Sequence, residues 1–349
     1  MIDFNKFLIK KDASIKKALI CLENLSDDVL TLFVMDNKRL IGTLTDGDIR
    51  RALIRNTSVD TSVEQIMNVD FKFISPNEKD TSKIKKIKNL GVQLLPCLNE
   101  QRELLYVYNL KEQKSILPID VVLMAGGKGE RLRPLTENCP KPLLKVGGKS
   151  IIDYNVDSLL SYGVKDIYVT TNYLAEQIEE HYSEEHKGVK ITCVREKEYY
   201  GTIASVKLIP SLKHDEVLIM NSDLFTNINF EDFYNFFGEK DADMLVAAIP
   251  YSINIPYGIF DLEEQNIIGI KEKPVHSYYA NAGIYLIKQH LLDLIPEKSF
   301  FNATDFIELL IKKEKTVIRY PLVGYWIDIG KPEDYKKAQE FAKHISNDK

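Results

Sequence analysis

The chain has 349 residues, of which 44% are hydrophobic and 28% are charged, a composition typical of a globular protein with roughly two domains. Its formal net charge is −5 and it carries no long basic block, so a dedicated nucleic-acid binder is disfavoured. No apolar stretch approaches the roughly 18 residues of a membrane span, and the first residues lack the apolar core of a signal peptide, so no membrane partner is expected. The four cysteines are too far apart for a CxxC or zinc-binding cluster, which predicts reduced thiols in a cytoplasmic protein.

The first 116 residues predict a small α+β module built from an internal repeat. Apolar spacing predicts a helix over 14–22 and another over 46–54, and residues 31–45 predict two strands joined by a turn at 36–38. The same order recurs about 64 residues later, with a helix over 81–90 and strands over 94–98 and 104–108. We interpret the repeat as two βαββα units packed as a pseudo-twofold pair.

A domain boundary is predicted in the polar stretch 111–118, which ends at Pro118. The predicted domains are therefore 1–116 and 117–349. In the second domain, short apolar runs predict strands over 121–124, 166–170, 191–194 and 217–220. A helix is predicted to follow Ser150 and to end before Gly163. Strands that alternate with helices favour an α/β fold with a mainly parallel sheet.

The first stretch with chemical potential follows the strand at 121–124. Gly126, Gly127 and Gly129 are followed by Arg131. Glycines allow backbone N–H groups to approach a phosphate chain, and arginine matches phosphate oxygens with a forked pair of donors. The stretch is neither a Walker loop nor a complete dinucleotide fingerprint. A plain strand-to-helix turn is the alternative interpretation.

Two further stretches could hold charge. Pro140 and Pro142 flank Lys141, which predicts a rigid extended segment that presents the ammonium to a phosphate. A surface lysine in a proline-rich turn is the alternative. Asp223 follows the strand at 217–220, where ligands bind in open α/β sheets, and its carboxylate suits Mg²⁺. An Asx turn or helix cap would explain Asp223 equally simply.

Three later stretches complete the set. Residues 271–274 place a glutamate and a lysine before a proline, and residues 281–285 are predicted to open another strand. Residues 326–332 end a strand at Asp328 and then begin a helix. Asp328 is the candidate for a second metal ligand.

In their order and spacing these stretches resemble the sugar-1-phosphate nucleotidylyltransferases, and most closely the mannose-1-phosphate guanylyltransferase-like members. The resemblance rests on GGKGERLRPLT, PKPLL, NSD, EKP, NAGIY and WIDIGKPEDY, and it covers residues 119–341. Residues 198–202 match the segment that lines the nucleobase pocket in part, with Tyr200 where leucine is common. The resemblance implies a Rossmann-like, mainly parallel mixed sheet in the nucleotidyltransferase domain.

The resemblance also implies a role for each matched residue. The catalytic residues would be Arg131, Lys141, Asp223 and Lys273. The nucleotide would be bound by Ala125, Gly126, Gly127, Gly129, Asn172, Gly201 and Thr202. The sugar would be bound by Tyr257, Gly258, Glu272 and Asn281. Mg²⁺ would be held by Asp223 and Asp328.

The N-terminal module carries a resemblance of its own. Residues 42–49 (GTLTDGDI) are similar to the signature of cystathionine-β-synthase-type (CBS) domains. This implies that Thr45 and Asp48 hold an adenine nucleotide. The second unit has Asn109 and Glu112 at the corresponding positions. The module is therefore interpreted either as a regulatory nucleotide-binding pair or as a purely structural module for dimerisation or docking.

The reaction implied for the whole chain is transfer of a nucleoside monophosphate from a nucleoside triphosphate, with GTP favoured, to a sugar 1-phosphate. Pyrophosphate is released, and the nucleotide sugar would serve glycan biosynthesis. One alternative is a cytidylyl- or uridylyltransferase on the same fold, and the other is a catalytically silent sugar-nucleotide sensor. The arginine, lysine and both aspartates are present, which favours the enzyme. We also expect a homo-oligomer.

Overall fold

A computed structural model of the chain describes residues 3–25, 29–297 and 299–347. Within these ranges the α-helices are α1 (Ile15–Glu23), α2 (Asp46–Ile54), α3 (Thr81–Asn89), α4 (Ile151–Ser161), α5 (Ala175–His181), α6 (Phe230–Glu239), α7 (Ala303–Lys312) and α8 (Pro332–Asn347). The strands are β1 (Leu8–Lys10), β2 (Thr31–Asp36), β3 (Arg39–Thr45), β4 (Leu94–Leu98), β5 (Leu104–Asn109), β6 (Asp120–Ala125), β7 (Lys145–Val146), β8 (Lys149–Ser150), β9 (Asp166–Thr171), β10 (Ile191–Arg195), β11 (Glu216–Asn221), β12 (Leu224–Thr226), β13 (Met244–Asn254), β14 (Ile259–Glu263), β15 (Asn266–Lys271), β16 (Val275–Lys288), β17 (Val317–Pro321) and β18 (Trp326–Asp328).

None of the helices in these ranges is long and apolar enough to cross a membrane. All four cysteines are free, as predicted.

The chain folds into two compact units. The first comprises Met1–Pro118, Asp157–Asp166 and Tyr182–Ile191, and the second comprises Ile119–Val156, Ile167–His181 and Thr192–Lys349. The predicted domains 1–116 and 117–349 are parts that should fold independently, and that division stays a prediction.

In the first unit, the first half of the repeat forms a βαββα arrangement, as predicted. Strand β1 pairs in parallel with β2, and β2 pairs antiparallel with β3. The Ser14 hydroxyl accepts a hydrogen bond from the Lys17 amide, which caps the start of α1. The predicted helix over 46–54 has the bounds of α2.

The second half of the repeat is incomplete. Strands β4 and β5 form an antiparallel hairpin after α3, and a parallel bridge between Ile74 and Cys97 stands in for the first strand. No helix follows β5 in residues 110–118, so the prediction of a second full βαββα unit was wrong. Residues 115–118 are all buried in succession, whereas an amphipathic surface helix would bury only one face.

The second unit is built on a seven-stranded mixed sheet with the order β10-β9-β6-β11-β16-β13-β17. Strands β6 and β11 are parallel, whereas β16 runs antiparallel to both β11 and β13. The prediction of an α/β fold is therefore confirmed, and its sheet contains both parallel and antiparallel pairs. Val121, Val122 and Leu123 of β6 are fully buried, which is why this strand is a continuous apolar run.

Strands β13 and β16 continue beyond the sheet as a two-stranded ribbon, and the β14–β15 hairpin lies between them in the sequence. We call residues 250–280 the arm. Residues 281–285 were predicted to open a strand, and this was wrong: they lie in the middle of β16, which begins at Val275.

Candidate functional site

A cavity of about 620 Å³ lies where β6 and β11 end. Because these strands are parallel, their carboxyl ends meet at the same edge of the sheet. The cavity brings together ten of the predicted site residues: Ala125, Gly126, Gly127, Gly129, Arg131, Lys141, Asn172, Gly201, Thr202 and Asp223.

The glycine loop is packed too closely for side chains. Gly129 has a φ of +62°, which favours glycine, and a Cβ there would lie 3.2 Å from the Cβ of Lys141. A Cβ on Gly126 would lie only 2.6 Å from Oε1 of Glu196. The loop therefore needs glycines for conformation at Gly129 and for space at Gly126.

Lys141 lies between two carboxylates. Its ammonium is paired closely with Asp223 and lies 3.8 Å from Oδ1 of Asp328, and the residue is only 8% exposed. The predicted extended segment is in fact a 3₁₀ turn over Lys141–Leu143. The fixed φ of Pro142 suits such a turn, so the prolines set a different conformation from the one predicted.

The backbone around Asp223 is held by buried side chains. The Ser222 hydroxyl donates a 2.7 Å hydrogen bond to the Met124 carbonyl, which ties the end of β11 to the end of β6. The Asn155 amide donates to the carbonyls of Ser222 and Leu224, on either side of Asp223. Asn155 is distant from Asp223 along the chain, so no local pattern predicts this contact.

The two aspartates suit a hard cation. Oδ1 of Asp223 is buried and has no hydrogen-bond partner within the described part of the chain. Burial and the neighbouring Asp223 carboxylate raise the pKa of Asp328, while Lys141 and Arg131 oppose this. A carboxylate oxygen that is buried without a partner, beside a second carboxylate, is the donor set that Mg²⁺ prefers.

Glu196 is a site residue that the sequence analysis missed. It is 4% exposed and lines the same cavity, and its Oε2 accepts a hydrogen bond of 3.1 Å from the Tyr200 amide. Burial raises its pKa to about 7, and the Tyr200 amide opposes the rise. It is the first residue after β10, so its place at a strand end was the signal that could have identified it.

A second, smaller cavity of about 290 Å³ is lined by Asn281, Asp328 and Trp326. Thr202 lines both cavities. The Trp326 indole donates a hydrogen bond of 2.9 Å to the Ala282 carbonyl, which links β18 to β16. Asn281 is thus near the metal candidate Asp328.

The other predicted sugar-site residues lie outside both cavities, on the arm. Tyr257 is 72% exposed, and Glu272 and Lys273 are also exposed. A Cβ on Gly258 would lie 3.0 Å from Oε2 of Glu272, so the structure brings these two positions together. Neither of the two cavities is lined by these positions together with Lys141.

In the first unit, the side chains of Thr45 and Asp48 bind each other. The Asp48 carboxylate accepts a hydrogen bond of 2.8 Å from the Thr45 amide, and the Asp48 amide donates one of 3.3 Å to the Thr45 hydroxyl, which together form a capping box at the start of α2. The Thr45 hydroxyl also donates a hydrogen bond of 2.7 Å to the Asp48 carboxylate. Asp48 is also paired with Arg51. Thr45 lines a cavity of about 590 Å³ in this unit, and Asp48 does not.

The sequence of the second unit matches a known family over most of its length. The profile described as nucleotidyl transferase matches residues 120–344. The chain belongs to the nucleotidyl transferase family. This membership agrees with the glycine loop, Lys141 and Asp223 around one cavity.

Curated relatives match the same part of the chain. It is 32% identical over 224 residues to a mannose-1-phosphate guanyltransferase of Kluyveromyces lactis, which covers 61% of this chain and 62% of that protein. It is 34% identical over 230 residues to the bifunctional protein GlmU of Methanocaldococcus jannaschii, covering 64% of this chain and 54% of that protein. The chain thus spans less than two thirds of the length of these relatives.

Among solved structures, HddC from Yersinia pseudotuberculosis matches with a TM-score of 0.51 and 25% identity. The match covers 64% of this chain and 99% of HddC. The second unit therefore shares its α/β fold with HddC.

Proposed function

We propose that the protein transfers a nucleoside monophosphate from a nucleoside triphosphate to a sugar 1-phosphate and releases pyrophosphate. The observation that carries the proposal is the position of Lys141 between Asp223 and Asp328, in the cavity bordered by the glycine loop. A lysine and two carboxylates beside a backbone that can bind phosphate suit phosphoryl transfer. Family membership and the guanyltransferase relatives support the same reaction.

In this reaction an oxygen of the sugar phosphate attacks the α-phosphorus of the triphosphate in line, and pyrophosphate leaves. The protein contributes positioning and charge neutralisation rather than a covalent intermediate. The backbone of Gly127–Gly129 and the guanidinium of Arg131 would hold the triphosphate. Asn172, Gly201 and Thr202 also line the cavity and would hold the nucleoside.

Asp223 and Asp328 would hold Mg²⁺, which would neutralise phosphate charge when it is bound. Lys141 balances both carboxylates in this structure. A divalent ion there would neutralise both carboxylates, and the ammonium would then be free to bind the α-phosphate. The same residue can thus balance the two carboxylates and act on the phosphate.

The residues that would bind the sugar 1-phosphate are proposed from the family resemblance. Asn281 lies beside Asp328 in the smaller cavity, so a sugar bound there would adjoin the metal candidate. Glu272, Tyr257 and Gly258 would bind sugar hydroxyls, and Lys273 the sugar phosphate, if the arm closes toward the cavity.

Glu196 supports GTP as the nucleotide. An ionised carboxylate only accepts hydrogen bonds, through two parallel oxygens. Guanine is the base whose pairing edge presents two adjacent donors, N1–H and the 2-amino group, whereas cytosine, uracil and adenine do not. Glu196 is buried in the cavity wall with only the Tyr200 amide bound to its carboxylate within the described residues, so it is free to select guanine.

Replacing Glu196 by glutamine is therefore expected to lower kcat/KM for GTP by about 10- to 100-fold relative to UTP, since a bidentate base contact is worth roughly 1–3 kcal/mol. In the wild type, kcat/KM for GTP should rise as pH increases through about 7, where the Glu196 carboxyl ionises. This rise should be absent in Glu196→Gln. Glu239→Gln is the matched control, because Glu239 is an exposed glutamate at the end of α6, and an equal loss in both variants would contradict the assignment.

The same substitution has a structural readout. Because folding raises the pKa of Glu196 from 4.5 to about 7, the fold loses stability as pH rises between these two values, and the loss is complete above about pH 7. Glu196→Gln should raise the free energy of unfolding at pH 8 by about 1–3 kcal/mol, with the gain vanishing below about pH 4.5. Denaturant unfolding at both pH values measures this without substrate.

The alternative that is not an enzyme is a catalytically silent sugar-nucleotide sensor. It would bind a sugar nucleotide in the same cavity without needing Lys141. A sensor would show saturable binding but no pyrophosphate release, which a coupled pyrophosphate assay distinguishes from the enzyme.

For the N-terminal module we propose a regulatory adenine nucleotide on Thr45 and Asp48, with a purely structural role as the alternative. The cavity lined by Thr45 supports the regulatory role, and the capping box formed by Asp48 supports the structural role.

If the nucleotide binds, calorimetry of the full chain with AMP should give a signal that Asp48→Ala removes and Glu112→Ala keeps. Glu112 is the matched control because it accepts a similar local hydrogen bond from Asn109. A signal that is absent, or that survives Asp48→Ala, would leave only the structural role.

A further inference from the structure

Two exposed aromatic side chains meet beside the larger cavity. Tyr199 lines this cavity and is 46% exposed, and Phe300 is 60% exposed. Their ring centroids lie 5.9 Å apart with an interplanar angle of 64°, which is an edge-to-face contact. Neither residue is among the predicted site residues. Two large apolar side chains that are exposed together, next to the polar groups of a cavity, are typical of a surface that a ligand covers.

The backbone next to Tyr199 is held against residues 300–303. The Phe301 amide donates a hydrogen bond of 2.9 Å to the Tyr200 carbonyl, and the Ile203 amide donates one of 3.3 Å to the Phe301 carbonyl. These are backbone contacts, so they do not depend on the side chains at 199 and 300. A ring that is already held in position loses little freedom when a ligand binds against it.

Two predicted nucleotide-binding residues strengthen the same junction. The Ala303 amide donates a hydrogen bond of 2.9 Å to the Thr202 hydroxyl, and the Thr202 amide donates one of 3.4 Å to the side-chain oxygen of Asn302. Gly201 has a φ of +88°, and a Cβ there would lie 2.7 Å from the Phe301 carbonyl oxygen. Glycine at this position is thus needed for the close approach of the two segments. Gly201 and Thr202 therefore also fix the loop in place.

Tyr199 lies near the carboxylate that is proposed to select the base. Tyr199 and Glu196 line the same cavity. Burial and the charge of Glu196 raise the pKa of the Tyr199 phenol, so the ring is uncharged at neutral pH. A carboxylate binds the edge of a base in its plane, whereas an aromatic ring covers its face. The two side chains thus offer the two kinds of contact that a planar base can make.

We propose that Tyr199 stacks on the nucleobase of the triphosphate and that Phe300 positions the Tyr199 ring. An edge-to-face contact with Phe300 occupies at most one face of the ring, and Tyr199 is nearly half exposed, so a face remains for the base. Phe300 does not line the cavity, and it therefore acts on the ligand through Tyr199. This inference deepens the proposed function, because it rests on a nucleotide being bound in that cavity.

A base suits this position better than a sugar. The cavity that Tyr199 lines also contains the glycine loop and Arg131, which would hold the triphosphate. Tyr199 does not line the smaller cavity, where Asn281 would bind the sugar. Stacking tolerates every base, because each base has a π face. Tyr199 therefore supplies affinity for any nucleotide, and the choice among bases is left to Glu196.

Calorimetry of the full chain tests the inference with GTP, UTP and inorganic tripolyphosphate, each with Mg²⁺ and without a sugar 1-phosphate. Tyr199→Ala should raise the dissociation constants of GTP and UTP by similar factors of about 10 to 100. The dissociation constant of tripolyphosphate, which has no base, should not change, and this also shows that the variant is folded. Tyr199→Phe keeps the ring and should bind all three probes like the wild type.

Phe300→Ala should raise both nucleotide dissociation constants by a smaller factor of about 2 to 10, since the loss is one aromatic pair. Phe300→Tyr keeps a ring and should bind like the wild type. In the Tyr199→Ala background, Phe300→Ala should have no further effect, because it acts through that ring. Tyr251→Ala is the matched control and should change nothing, since Tyr251 is an exposed tyrosine that lines neither cavity.

Turnover separates this role from that of Glu196. Tyr199→Ala should raise KM for GTP and UTP alike and leave kcat unchanged, because stacking is equal in the ground state and the transition state. Glu196→Gln, in contrast, should change the preference for GTP over UTP.

Unchanged nucleotide affinity in Tyr199→Ala would overturn the inference, and so would an equal loss for tripolyphosphate or an equal loss in Tyr199→Phe. A wild type that binds neither nucleotide would overturn it as well. The proposed reaction would survive these results if the wild type still releases pyrophosphate from GTP and a sugar 1-phosphate. Conversely, nucleotide binding that Tyr199→Ala weakens, without any pyrophosphate release, would contradict the reaction and support the stacking.

Discussion

Replacing Asp223 by asparagine is expected to remove nearly all Mg²⁺-dependent pyrophosphate release. The carboxylate that would hold the metal is lost, and several kcal/mol of charge stabilisation correspond to a drop of about 10³-fold in kcat. Asparagine has almost the same volume, so the fold should persist. Pyrophosphate release measured against Mg²⁺ concentration is the direct assay.

Asp328→Asn should behave in the same way, since its side chain flanks the same ammonium. Asp293→Asn is the matched control, because Asp293 is an exposed aspartate paired only with Lys207 in the described residues. It should retain the wild-type rate. Near wild-type turnover in Asp223→Asn with Mg²⁺ present would contradict the metal assignment.

Replacing Lys141 by alanine is expected to lower kcat by about 10²–10³-fold, the usual loss when one charge-stabilising donor is removed. The ammonium would act chiefly in the transition state, so KM for the triphosphate should change much less. Lys141→Arg should not restore full activity, because a planar fork cannot replace a point charge held on a 3₁₀ turn. Initial rates at varied triphosphate concentration separate kcat from KM.

Stability must be followed in the same variants. Without Lys141, the half-buried Asp223 and the more exposed Asp328 lose their counter-charge, which should cost less than the roughly 3–5 kcal/mol of a fully buried pair. Added Mg²⁺ should recover part of this loss if it binds the two carboxylates. Unchanged kcat with only a raised KM in Lys141→Ala would contradict the role assigned to the ammonium.

Local signals in the sequence predicted most of the secondary structure. The alternation in residues 31–45, the apolar run at 121–124 and the helix over 46–54 all matched the structure, because each depends on neighbouring residues. The missing last helix of the second repeat was not predicted, since the repeat was extended by analogy rather than from the pattern of residues 110–118. Lys141 shows the same limit, because two prolines fit an extended segment and a 3₁₀ turn alike.

The site was predictable where it follows strand ends. The glycine loop and Asp223 each follow a buried strand, and parallel pairing of β6 with β11 brings them together. The ion pair of Lys141 with Asp223 joins residues 82 positions apart, and only the tertiary fold shows it. Glu196 also follows a strand end, but its burial, which distinguishes it from its exposed neighbours, is visible only in the tertiary fold. The exposure of Tyr257 on the arm likewise could not be predicted from the local sequence.

The proposed reaction is tested by measuring pyrophosphate release from a matrix of the four nucleoside triphosphates against several sugar 1-phosphates. The assay uses the full chain, with Mg²⁺ and with a chelator, and Asp223→Asn serves as the inactive control. We expect release that requires both substrates and the metal, is fastest with GTP, and is lost in the variant. No release with any pair, or release that proceeds without a sugar 1-phosphate, would contradict the proposed reaction.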